Sequence, residues 1–229
     1  NSPIIQDSLE MNRDFLVQNR IFLPYGDYNF SFEAKDINSN VEEEKKESPD
    51  ASFLLPIKIG YDKNLVQISD IQNLKSFQKA EKEDPTVKHG FEMISRTSNY
   101  FGEGDQEYKF FAEIYNTDQV VGKDQPFLVS MKVKKASNLA SLKGAGSFKK
   151  YTAQPANPVL GTIDLSKVPT GNYYLVLEVI NKENKVLYSK RKFFQRDNPA
   201  IEIAEEDFAS SDEGLSCNLG YIIDDRNLD

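Results

Sequence analysis

Tryptophan is absent from the 229 residues, and cysteine and histidine occur once each, as Cys217 and His89. A serine or cysteine hydrolase device needs an imidazole, and only His89 can supply one. It lies between Lys88 and Gly90 in a polar connector, where a solvated loop histidine is the expected state. The usual cysteine and histidine zinc sites require more such ligands than the chain has. One cysteine forms no internal disulfide, so no covalent staple supports the fold and the redox compartment stays open. Cys217 sits in Gly-Leu-Ser-Cys-Asn-Leu-Gly and reads as a small buried hydrophobe rather than a reactive thiol. Positive charge is short too: 28 Lys and Arg against 36 Asp and Glu leave a net charge of −8. That balance argues against nucleic acid as a partner, because binding phosphates takes a basic footprint. No apolar run approaches the ~20 residues of a membrane span. No signal peptide is visible, and the opening Asn-Ser-Pro, without Met, is expected of a processed or trimmed product.

What the chain does have is alternation. Tyr173 to Ile180 is an aromatic and β-branched run bounded by Pro169-Thr170-Gly171-Asn172 and Asn181-Lys182-Glu183-Asn184. A second run, Val186 to Phe194, follows at hairpin distance. Glu107–Tyr115 and Pro126–Lys134 have the same character, and from Val129 onward the odd positions are apolar and most even ones polar. That period of two marks a strand with one wet face. Shorter candidates are Phe91–Ser95, Ser147–Ala153 and Val159–Leu165. Seven short strands without a convincing amphipathic helix predict an all-β, immunoglobulin-like sandwich over residues 90–198.

An internal repeat extends this expectation. Leu23-Pro24-Tyr25-Gly26-Asp27-Tyr28-Asn29-Phe30-Ser31-Phe32-Glu33-Ala34 parallels Val168-Pro169-Thr170-Gly171-Asn172-Tyr173-Tyr174-Leu175-Val176-Leu177-Glu178-Val179. In each copy Pro fixes φ, Gly is expected to supply a positive φ, and Tyr starts a strand. In the later copy about five strands precede the motif, but only 22 residues precede the earlier one. Residues 1–76 therefore read as the last strands of a first sandwich: Asp14–Phe22, Tyr28–Asp36 and Phe53–Tyr61. Such an incomplete domain exposes strand edges, which invite a protein partner or self-association. Residues 38–50, rich in Glu and Lys, are expected to be a solvated loop, residues 77–89 a charged linker, and residues 199–229 an acidic tail.

Candidate chemistry is sparse. Glu103-Gly104-Asp105 with Glu107, and Asp224-Asp225 with Asp229, are the two carboxylate clusters that could hold calcium. Neither has the Asp-x-Asp-x-Asp-Gly spacing that preorganises a calcium loop. A carboxylate pair for glycoside hydrolysis arises by chance among so many acids. Lys143-Gly144-Ala145-Gly146-Ser147 lacks the Gly-Lys-Ser/Thr ending of a phosphate loop and reads as a flexible loop between strands. Tyr100, Phe101, Tyr108, Phe110 and Phe111 read mostly as core.

Four segments in order carry a family resemblance: Ile68–Gln72, Tyr108–Asn116, Val168–Leu175 and Lys192–Pro199. Over residues 10–200 the chain resembles the N-terminal β-sandwich portion of the Bacteroidota proteins named for a C-terminal Gly-Trp-x-Thr-Asp motif, the GWxTD family, whose function is poorly defined. The naming motif is absent, as the lack of tryptophan requires. The resemblance implies an exported cell-envelope protein, in the periplasm or at the outer-membrane surface, and supplies no catalytic residue. The expected function is a non-enzymatic protein-interaction or scaffolding module without cofactor or metal. The alternative is a carbohydrate-binding or calcium-dependent adhesion module.

Overall fold

The computed structural model describes residues 21–35, 51–82 and 87–201, with the backbone of 208–209. Residues 14–20 of the strand expected over 14–22, the loop 38–50, Cys217, the 224–229 carboxylates and most of the acidic tail lie outside the described residues, and Ile21 and Phe22 belong to no strand. The chain divides into two units, residues 1–62 and 63–229.

In the first unit, β1 (Gly26–Ala34) and β2 (Ala51–Ile59) form an antiparallel ribbon. Its register places Tyr28, Phe30, Phe32 and Ala34 opposite Ile57, Leu55, Phe53 and Ala51. Directly opposed residues share a face, so one side of the ribbon is wholly apolar. The other side carries Asp27, Asn29, Ser31 and Glu33 opposite Lys58, Pro56, Leu54 and Ser52.

The second unit is largely β, with two sheets facing each other. Its elements are β3 (Gln67–Ile68), β4 (Gln72–Lys79), β5 (Val87–Lys88), β6 (Phe91–Ser95), β7 (Tyr100–Phe101), β8 (Glu107–Tyr115), β9 (Pro126–Lys135), β10 (Ser141–Thr152), β11 (Ala156–Asp164), β12 (Gly171–Ile180), β13 (Val186–Arg196) and β14 (Phe208–Ala209). One sheet runs β11-β8-β4-β6-β5, with β3 also on β8; the other runs β14-β10-β9-β12-β13-β7. Alternation chooses the inner faces. Tyr108, Phe110, Ala112 and Ile114 of β8 meet Val129, Met131, Val133, Leu175 and Leu177 from the opposite sheet in one buried cluster. Each large apolar side chain removed from water contributes about 1.5–3 kcal/mol, and together they drive closure. Tyr108 keeps its hydroxyl satisfied inside the core by donating to Asn73 Oδ1 at 2.5 Å. Burial pushes its pKa up, so the phenol stays neutral.

The sandwich begins upstream of residue 90. Val66, Ile68 and Ile71 enter its core, and β4 pairs with β8 through Gln72, Asn73 and Leu74. The connector expected at 77–89 is therefore part of this unit: its first residues end β4, and Val87–Lys88 pair with β6. A register shift between Leu74 and Ser76 breaks the alternation that would have announced the strand. The same shift marks where the β4–β6 pair covers outward-facing Phe111 and Leu160 with Leu74, Phe77, Phe91 and Met93, a second small core. The expected flexible loop at 143–147 likewise lies within β10, which takes a register shift between Ser141 and Gly146.

The repeated motif adopts matching geometry in both units. β1 begins at Gly26 and β12 at Gly171, and each tyrosine ring folds back over the glycine two residues earlier. A Cβ at Gly26 would stand 3.4 Å from Tyr28 Cε2, and one at Gly171 3.2 Å from Tyr173 Cε2. At Gly171 a side chain would crowd the ring, whereas at Gly26 the same fold leaves ordinary contact distance. The positive φ expected of them is not found: Gly90, Gly122 and Gly144 are the described glycines that have it.

Gly161 of β11 also makes room for a ring. It stands opposite Phe110, and a Cβ there would lie 2.5 Å from Phe110 Cε1 and 3.2 Å from Met131 Sδ. Gly161→Ala is expected to cost about 1–3 kcal/mol, because a fully buried ring must move in a close-packed core. Denaturant melts of the two proteins measure this, and an unchanged midpoint would contradict it.

Candidate functional site

The single histidine lies in an exposed turn, as expected, but its ring is also held by a carboxylate. His89 and Gly90 join β5 to β6 as a two-residue turn, with φ of 52° and 78°. Such a turn needs positive φ at both central residues, a role usually given to Asn-Gly. The turn carries the imidazole to β8, where His89 Nε2 lies 2.7 Å from Glu113 Oε1. Lys88 Nζ donates to Glu113 Oε2, and Tyr115 Oη donates to the same oxygen at 2.8 Å. Lys88 Nζ also sits 4.9 Å above the Phe111 ring. Ser69 holds the backbone of Glu113 at both polar groups, through Ser69 N to the carbonyl at 2.8 Å and Glu113 N to Ser69 Oγ at 2.9 Å.

Burial by itself raises the pKa of Glu113, but hydrogen bonds from Lys88, His89 and Tyr115 outweigh it and hold the carboxyl below its usual range. The cluster therefore reads as a latch that ties the β5–β6 turn to the sheet through one ionised carboxylate. A depressed folded-state pKa stabilises the protein above the unfolded value and loses that stability as pH falls through the folded one. Glu113→Gln is accordingly expected to cost about 1.5–3 kcal/mol at neutral pH. The difference from the parent should shrink to nothing as pH drops below the ordinary glutamate range. Urea melts across that range measure it, and a pH-independent difference would contradict the latch.

The first calcium candidate is occupied by protein cations. Arg96 donates to both Asp105 oxygens, at 2.9 and 2.8 Å, and Gly102 N adds a third bond at 2.9 Å. Burial raises the Asp105 pKa, yet these contacts hold it below the usual range. Glu107 is paired with Lys109. Among the described residues no three His, Cys, Asp or Glu side chains cluster as metal ligands would. Arg96 also stacks 4.3 Å from the Phe101 ring, while the largest fully buried side chain, Arg196, donates through Nη1 to the Gly102 carbonyl. Arg96 closes the 96–105 segment on itself and Arg196 ties it to β13, structural jobs that sequence spacing did not announce. Of the aromatics expected in the core, Phe101, Tyr108, Phe110 and Phe111 are buried and Tyr100 is half exposed.

The feature left without a structural role is the β1–β2 ribbon. On its apolar face Phe32 and Phe53 stack at 5.4 Å, and Phe30 and Phe53 lie at 5.8 Å. Phe30, Phe32, Phe53 and Leu55 are 39%, 44%, 51% and 49% exposed. In the second unit the positions matching Tyr28, Phe30, Phe32 and Ala34 of β1 are Tyr173, Leu175, Leu177 and Val179, at most 2% exposed and covered by the facing sheet. Those matching Phe53 and Leu55 are the half-buried Lys190 and Lys192. A two-stranded ribbon is marginal alone in water, and contiguous apolar exposure marks surfaces that meet a partner. Among the described residues β1 pairs on one side only, with β2. No helix among the described residues is long and apolar enough to cross a membrane. No protein-family model matches the chain, and no curated protein matches it either.

Proposed function

We infer that this chain is a non-enzymatic protein-interaction module in which the first unit supplies the binding surface and the second, an immunoglobulin-like sandwich, the rigid body. The first unit is the closing hairpin of a sibling sandwich, so the architecture is tandem. The observation that carries this is the continuous apolar face of the β1–β2 ribbon, whose β1 side chains are half exposed where their β12 counterparts are buried. The only imidazole is engaged by Glu113 in the latch, and Asp105 is engaged by Arg96, which leaves association as the use best matched to the surface. Placement in an exported cell envelope rests on the resemblance to the GWxTD proteins.

Sedimentation velocity over the micromolar range, alone and with solubilised envelope proteins, tests the reading. Concentration-dependent or partner-dependent assembly is the expected result. A strictly monomeric chain that retains no partner would contradict it. Calorimetry with calcium and a glycan panel tests the adhesion alternative, which predicts heat from one or the other. Fractionation of expressing cells tests the location.

A further inference from the structure

We propose that the ribbon is completed by an antiparallel β-strand of another polypeptide, added along the edge of β1 that has no partner among the described residues, with apolar residues opposite Phe30 and Phe32 and a lysine near Glu33. This rests on the ribbon being an interaction surface, and it adds the occupant, its register and its charge.

The template is in the second unit. There β12, the repeat partner of β1, pairs antiparallel with β9 on one edge and with β13 on the other. β13 corresponds to β2, so the edge of β1 that no described residue pairs with corresponds to the one that β9 fills. The β9 register sets Val133 opposite Leu175, Met131 opposite Leu177 and Val129 opposite Val179. Transferred through the repeat, these apolar residues stand opposite Phe30, Phe32 and Ala34. Slipping such a strand by one residue would turn its whole apolar set to the wrong face, so the register is strongly specified.

Charge points the same way. Glu178 of β12 is met by Lys134 at 3.2 Å and Lys132 at 3.7 Å, both from β9. The residue at its place in β1 is again glutamate, Glu33. In the transferred register the two lysines stand opposite Asn29 and Ser31, on the polar face that Glu33 shares. Pro56 supplies a third argument. Proline cannot donate to a ladder and is confined to edge strands, which makes β2 the outer strand and β1 the one where the sheet grows.

The test uses the full chain and a labelled peptide with the sequence of Pro126–Lys135, followed by binding anisotropy and hydrogen exchange. Binding with new protection confined to residues 26–34 is expected. A peptide of the same composition with its alternation shifted by one residue should bind at least about tenfold more weakly. Replacing the two central lysines by glutamate should weaken binding by about threefold, an effect that Glu33→Gln in the protein removes. Absence of binding, equal binding of the shifted peptide, or protection over 51–59 would overturn the proposal. Protection of β1 in the concentrated chain without peptide would make a second copy the donor and overturn the assignment to another polypeptide. Assembly that depends on Phe30 and Phe32 while β1 amides stay unprotected would leave the interaction reading standing and sink this one.

Discussion

Arg196→Ala is expected to destabilise the second unit by about 2–5 kcal/mol, whereas Arg196→Met should recover most of that loss. The side chain is 2% exposed, and its Nε and Nη2 have no hydrogen-bond partner among the described residues. Burial draws its pKa down, against the opposing pull of Asp105, Asp197 and Glu103. Its one donating nitrogen reaches the carbonyls of Phe101 and Gly102. Each of those carbonyls has a second donor, Asp197 N at 2.8 Å and Asp105 N at 2.9 Å, so neither is orphaned when the arginine goes. The dominant contribution is therefore the volume and apolar stem of the side chain. Alanine leaves a cavity; methionine fills it without a charge to desolvate. Chemical melts of the three proteins separate the two, and equal losses in Ala and Met would show that the charge matters more.

The second large effect concerns association. Phe32 and Phe53 stack at the centre of the ribbon's apolar face. Aromatic anchors at such positions typically contribute 2 kcal/mol or more to binding, so Phe32→Ala should weaken assembly by roughly 30-fold. Lysine at both positions should abolish it, because two ammonium groups would have to be desolvated against a partner. Leu54→Ser, on the opposite face of the outer strand β2, should leave the apolar contact intact and serves as the control. The unfolding midpoint of the second unit should not move in any of these variants. Assembly that survives the double lysine change would rule out this face.

Much of this architecture is legible from side-chain alternation. β6 and β8 fall on their expected bounds, 91–95 and 107–115, because their apolar sets sit every second residue. The repeat is legible because in both copies Pro-x-Gly-x-Tyr starts a strand with the tyrosine ring folded over the glycine. β4 is hidden, since Gln72-Asn73-Leu74-Lys75-Ser76-Phe77 loses its period at a bulge. The latch is hidden for a different reason. His89 and Glu113 meet only because the β4–β6 pair covers the outer face of its own sheet. Two signals hinted at it: His-Gly between short apolar segments is a tight-turn pair, and Phe111 points outward in phase and needs a cover. The ribbon is legible in pattern, but its exposure is a property of the structure.

Photocrosslinking tests the central claim most directly. A benzophenone amino acid at position 30 faces the apolar side of the ribbon, and one at position 54 faces the polar side of the outer strand β2. With the protein in its own cells, position 30 should yield a discrete polypeptide adduct and position 54 a much weaker one. Adducts at 54 that equal those at 30, or none at 30, would contradict the assignment of this face as the interaction surface.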